Sequence, residues 1–161
     1  MKTSYLLLYC LLLLSPRLAC LNNKNNATSG NPALETSMDN SSPVMASKMK
    51  IKIGARIFTA TFYDNEAAAT FKSMLPLSLN MVELNGNEKY AELPGNLPAN
   101  ASNPGKIQSG DLMLYGASTL VLFYKTFSSS YSYTKLGRID DVAGLSEAVG
   151  LGNVAVGFEL E

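Results

Sequence analysis

The sequence predicts a mainly β domain with two short helices, and three observations carry that prediction. Apolar and polar residues alternate over 49–54 and again over 57–63, the period-2 pattern of strands with one covered face and one wet face. Asn85-Gly86-Asn87 separates two strand-like runs, 77–84 and 88–93, and Asn-Gly is a strong hairpin signal because both residues tolerate positive φ. Residues 112–115 and 119–125 are apolar at nearly every position, as expected of strands covered on both faces.

In chain order, Gly54-Ala55 turns the first two strands into a hairpin. Asp64-Asn65 then supplies a helix cap, Glu66 sits in the first turn, and Ala67, Ala68, Phe71, Met74 and Leu75 recur at helical spacing until Pro76 stops the helix. The Asn-Gly hairpin follows. Residues 94–109, with Pro94, Pro98 and Pro104, read as a long loop, and 128–133, rich in Ser and Tyr, as a second. After a strand over 136–140, Asp141 is expected to cap a helix with Val142, Leu145 and Val149 inward and Gly150 at its end. Residues 153–160 supply the closing strand.

The region before the domain has a different character. Lys2 precedes an apolar run over 5–14 that Ser15-Pro16-Arg17 ends, too short for a transmembrane helix of roughly 20 residues and suited to an export signal over 1–19. Cys20 follows Ala19 at the end of this run and resembles a lipobox cysteine, although Arg17 and Leu18 stand where a lipobox has leucine and a small residue. Lipidation at Cys20 is the expectation, with simple secretion after cleavage near Ala19 as the alternative. Residues 20–47 are polar, with almost no aromatic or branched apolar side chain. Such a segment buries too little apolar surface to offset the entropy of ordering, so it is expected to be a disordered tether. The domain proper is 48–161. Cleavage would place it at the bacterial cell envelope, exported, and anchored through a lipid if Cys20 is modified.

Composition excludes several function classes. The chain has no histidine, no tryptophan and two cysteines, so a Ser-His-Asp triad, a histidine metal site and a cysteine cluster are all out of reach. No metal and no cofactor are expected. Removing Lys2 and Arg17 from the 13 basic side chains leaves 11 against 13 acidic ones, which gives no basic footprint for nucleic acid. One cysteine after cleavage leaves no internal disulfide, so the core alone must hold the domain.

The run Lys135-Leu-Gly-Arg-Ile-Asp-Asp-Val-Ala-Gly-Leu-Ser-Glu-Ala-Val149, together with Met74-Leu-Pro-Leu77, Glu83-Leu-Asn-Gly-Asn-Glu-Lys-Tyr90, Gly110-Asp-Leu-Met-Leu-Tyr-Gly116 and Leu122-Phe-Tyr124, resembles the cyclophilin-like proteins of the bacterial envelope. That resemblance covers essentially all of 48–161 and implies a closed eight-stranded β-barrel with two short capping helices. Isomerase-active cyclophilins, its distant relatives, direct an arginine at the prolyl nitrogen to weaken amide resonance, which otherwise sets a barrier of roughly 18–20 kcal/mol. The matching strand here offers Ala91 and Glu92, neither of which donates a charge-assisted hydrogen bond. The resemblance therefore implies the architecture without the catalytic donor, with Tyr133 near the place of the missing histidine.

Among the remaining residues, Arg138 is the one substitute donor to weigh, and its ordinary reading is a solvated charge, as is that of Arg56. Asp140-Asp141 reads as a helix cap rather than a cation site. Glu83, Glu88 and Glu92, alternating with Lys89, read as the wet side of a hairpin. The candidate ligand groove is aromatic: Tyr90, Tyr115, Phe123, Tyr124, Tyr131 and Tyr133 come from strands and a loop that would adjoin, and tyrosine suits contacts needing an apolar face and a hydrogen bond together. The expected function is a membrane-tethered module that binds a peptide, protein or small ligand without isomerase activity. The alternatives are a prolyl isomerase for exported proteins and a structural subunit of an envelope assembly.

Overall fold

The computed structural model describes residues 47–161. The expected export signal, Cys20 and all but the last residue of the expected tether lie outside the described residues.

Ten strands and two helices follow in the order β1 (Lys48–Ile53), β2 (Arg56–Phe62), α1 (Glu66–Ser73), β3 (Leu77–Leu84), β4 (Glu88–Glu92), β5 (Lys106–Ile107), β6 (Asp111–Tyr115), β7 (Thr119–Phe123), β8 (Phe127–Ser128), β9 (Thr134–Ile139), α2 (Leu145–Val149) and β10 (Val154–Leu160). Eight of the strands form a closed antiparallel barrel in the order β1-β10-β3-β4-β7-β6-β9-β2. The alternation in the sequence explains the closure: Met49, Ile51 and Ile53 of β1, Phe58, Ala60 and Phe62 of β2, and Val156 and Phe158 of β10 all point inward and are buried together. Ala67, Ala68 and Phe71 of α1 join that core, where Phe71 meets Phe158 edge-on with ring centroids 5.8 Å apart. Asn65 caps α1, its side chain accepting from the Ala68 N–H at 2.9 Å. The Asn85-Gly86 turn has φ of 56° and 68° at these two residues, the left-handed geometry that the dipeptide favours.

The apolar strands β6 and β7 are covered on both faces. Leu112, Leu114, Leu120 and Leu122 enter the barrel core. On the outer face Met113, Val121 and Phe123 pack with Ile107, Tyr133, Tyr90 and Phe127 in a second cluster. The two long loops supply part of that cover, through Ile107 and Tyr133, and they contain structure that the sequence did not announce. Lys106–Ile107 pairs with Phe127–Ser128 as a small antiparallel ribbon, and Ser102 bridges to Tyr133. Strands of two residues are too short for any periodicity to reveal.

Three expectations are corrected. Asp141 does not cap α2: its carboxylate accepts from the Ala143 N–H at 2.9 Å in a tight turn, and the helix begins only at Leu145 after Gly144. Gly144 takes φ 76°, and the Arg56 guanidinium occupies the space where a Cβ would stand, so the chain breaks there before it can coil. Val142 consequently lies outside the helix and is exposed. Lys89 and Glu88 are not on a wet face. Lys89 has no exposed surface and Glu88 is 9% exposed, for reasons that follow from what surrounds each.

Candidate functional site

Strand β4 sets two environments against each other, because successive side chains point to opposite faces. Lys89 and Ala91 point inward. Glu88, Tyr90 and Glu92 point outward and pair across the ladder with Phe123, Val121 and Thr119 of β7.

On the inner face the Lys89 ammonium is fully used. It donates to Glu83, and to the main-chain carbonyls of Gly150 at 2.9 Å and Gly152 at 2.6 Å, which accounts for its three N–H donors. Its Nζ also lies 5.4 Å from the Tyr124 ring centroid, a cation–π distance. The Tyr124 hydroxyl is 2.9 Å from both Glu83 oxygens, and the Gly86 N–H donates to Glu83 at 2.8 Å. Burial pushes the Glu83 carboxyl up, but the hydrogen bonds from Lys89, Tyr124 and Gly86 outweigh it and hold the group below its ordinary value. Burial, followed by the hydrogen bond to Glu83, pushes the Tyr124 phenol up to about 12.

On the outer face is a concavity of about 380 Å³ lined by Leu84, Asn85, Glu88, Tyr90, Glu92, Tyr115, Thr119, Val121, Tyr131 and Tyr133. Tyr115 is its organising ring, with centroids 6.2 Å from Tyr131 and 5.7 Å from Tyr133. Tyr133 is 6% exposed and stacks edge-on against Phe123 at 5.4 Å, so Phe123 supports the floor from beneath. The Ser102–Tyr133 bridge and the β5–β8 ribbon hold the loop that carries Tyr131 and Tyr133.

The two carboxylates of the concavity differ. Glu92 is exposed and accepts from Ser118 Oγ at 2.8 Å and Thr119 Oγ1 at 2.6 Å, and these bonds hold its carboxyl below the ordinary range. Glu88 has no hydrogen bond or ion pair among the described residues. Burial, and then the charge of Glu83, push its carboxyl up. No lysine or arginine lines the concavity.

Of the residues singled out from sequence, Tyr90, Tyr115, Tyr131 and Tyr133 come together here. Phe123 lies behind the wall, with no exposed surface. Tyr124 is not in the groove: it belongs to the barrel core and to the Glu83 cluster. Alternation along β7 explains this, since Leu120, Leu122 and Tyr124 share the inward face. Arg138 is exposed, 3.8 Å from Asp111, and faces a separate depression with Thr61 and Tyr63. It pairs with Asp111 at the end of β6 remote from Tyr115, about 13 Å along the strand at ~3.3 Å per residue. Ala91 is 8% exposed in the core. The sequence reasoning missed Glu88, Glu92 and Val121 as lining, although two steps either way from Tyr90 reach both carboxylates.

Among the described residues no group of three or more His, Cys, Asp or Glu side chains is placed to hold a metal ion, and no helix is long and apolar enough to cross a membrane. A family model described as the cyclophilin-like family matches residues 51–159. The chain belongs to the cyclophilin-like family. No curated protein matches it. In this cyclophilin-like domain the matched segment takes in all or part of every barrel strand and the whole aromatic concavity, while the outer face of β4 presents carboxylates and a tyrosine and no guanidinium.

Proposed function

We propose that this cyclophilin-like domain is a ligand-binding module that does not isomerise prolyl bonds. It takes a peptide side chain or a small ligand in the aromatic concavity. An export signal over 1–19, the polar segment over 20–47 and a lipid on Cys20 would present it at the bacterial cell envelope. The observation that carries the binding reading is the composition of the concavity: four tyrosines and an unpartnered carboxyl around about 380 Å³, within the roughly 300–1,000 Å³ usual for ligand sites. Isomerase chemistry needs a donor aimed at the amide nitrogen. The two arginines of the described residues, Arg56 and Arg138, both lie outside this lining.

The test uses full-length protein in detergent. Binders selected from a displayed peptide library are expected to lose binding to Tyr115→Ala and Tyr131→Ala, two exposed positions whose truncation spares the core. A protease-coupled assay on a prolyl tetrapeptide is expected to show only the uncatalysed rate. Selected binders indifferent to both substitutions, or isomerase turnover, would overturn the reading.

A further inference from the structure

We infer that the ligand of the concavity carries an organic ammonium group, of the size of a lysine side chain, received between tyrosine faces with Glu88 as its counter-ion. The inference rests on the concavity being a binding site and specifies what that site takes.

Three observations converge on it. Glu88 is 9% exposed, has no partner among the described residues, and points into the space. A largely covered carboxyl with no partner among the described residues gains from a ligand that supplies a cation. Tyr90, Tyr115, Tyr131 and Tyr133 line the same space, and aromatic faces attract cations through their quadrupole. With Glu92 on the rim and no cationic residue in the lining, an anion is repelled and a purely apolar guest leaves Glu88 unpaired.

The domain also contains a filled version of the same arrangement. One residue along β4 and on the opposite face, the Lys89 ammonium sits against the ring of Tyr124 and on the carboxylate of Glu83. The concavity repeats two of these three parts, tyrosine ring and glutamate, and lacks only the ammonium. Shared chemistry, rather than shape alone, points to the guest.

Binding is read by NMR on the full-length protein in detergent, with four probes. These are a pentapeptide with one central lysine, the same peptide with norleucine, the same peptide with glutamate, and n-butylammonium. The lysine peptide is expected to shift the resonances of Tyr115 and Tyr131 and to bind at least about tenfold more tightly than the norleucine peptide, the scale of one charge-assisted contact. Glu88→Gln, which keeps the shape, should bring lysine binding down to the norleucine level and leave norleucine binding unchanged. Butylammonium shifts at the same resonances would trace the affinity to the ammonium alone, and lysine-peptide shifts without them would trace it to a peptide-borne ammonium. Norleucine or glutamate peptides binding there as tightly as lysine would overturn the ammonium and leave the binding site standing. Absence of shifts with all four probes would overturn the ammonium inference, while library selection in the preceding experiment decides the binding reading separately.

Discussion

Glu83 and Glu88 stand on the two arms of one hairpin, and their surroundings are opposite. Glu83 receives hydrogen bonds from a lysine, a tyrosine and a main-chain N–H, and its carboxyl is held low. Glu88 receives none among the described residues, and its carboxyl is pushed up. The same residue type thus meets two opposite environments. Where every polar atom has a partner inside the protein, the cluster locks the hairpin to the Gly150–Gly152 segment. Where a carboxyl faces the concavity with no partner among the described residues, it is open to the cationic guest proposed above.

The largest expected effect comes from breaking the filled site. Lys89→Ala should destabilise the domain by about 3 kcal/mol, the low end of the range for removing one partner of a buried pair, because Glu83 keeps some access to water. Chemical denaturation would show this as a lowered midpoint with an unchanged slope; an unaltered midpoint would mean that the Lys89 cluster holds nothing together. Tyr124→Phe is a smaller break, removing one hydroxyl from Glu83 while keeping the ring in the core. A loss of roughly 1.5–3 kcal/mol is expected for a hydrogen bond to a charged group. Both substitutions should leave the concavity intact, which the tyrosine resonances of Tyr115 and Tyr131 would report.

The smallest effect, and the sharpest comparison, is in acid titration. Glu83 is held below its ordinary value of 4.5, so its contribution to stability is complete above that pH and is lost as pH falls through its folded pKa. Glu88 has the opposite sign. Raised above 4.5, it stays protonated in the folded chain while it ionises in the unfolded one, so its contribution declines as pH rises through that window. Burial sets this first and the charge of Glu83 on β3 second, while Tyr90, Tyr115 and Tyr133 face the same space and no cation lines it. Carboxyl-carbon NMR titration should therefore place the Glu83 midpoint below 4.5 and the Glu88 midpoint above it. The reverse order would end the contrast between the two glutamates.

Much of this fold was legible in the sequence for local reasons. Alternation named the strands, Asn85-Gly86 named the hairpin, and the unbroken apolar runs of β6 and β7 announced two covered faces. Lys89 was not legible. Its neighbours spell an ordinary wet strand, and the carbonyls that receive it belong to Gly150 and Gly152, far along the chain. Capping of α2 failed for a related reason, since Arg56 from the first hairpin packs against Gly144 and delays the helix. The site was half legible: grouping aromatics by type gathered four lining tyrosines, yet it also drew in Tyr124, whose place on the inward row of β7 excludes it.

Barrel closure has one more consequence. Strand β4 already has a ladder partner on each side, β3 along Glu88–Tyr90 and β7 along its whole length. A chain lying across the concavity could not insert beside β4 as a further barrel strand where both neighbours are in place. Under the proposed binding reading, a visitor is recognised there mainly through what its side chains project.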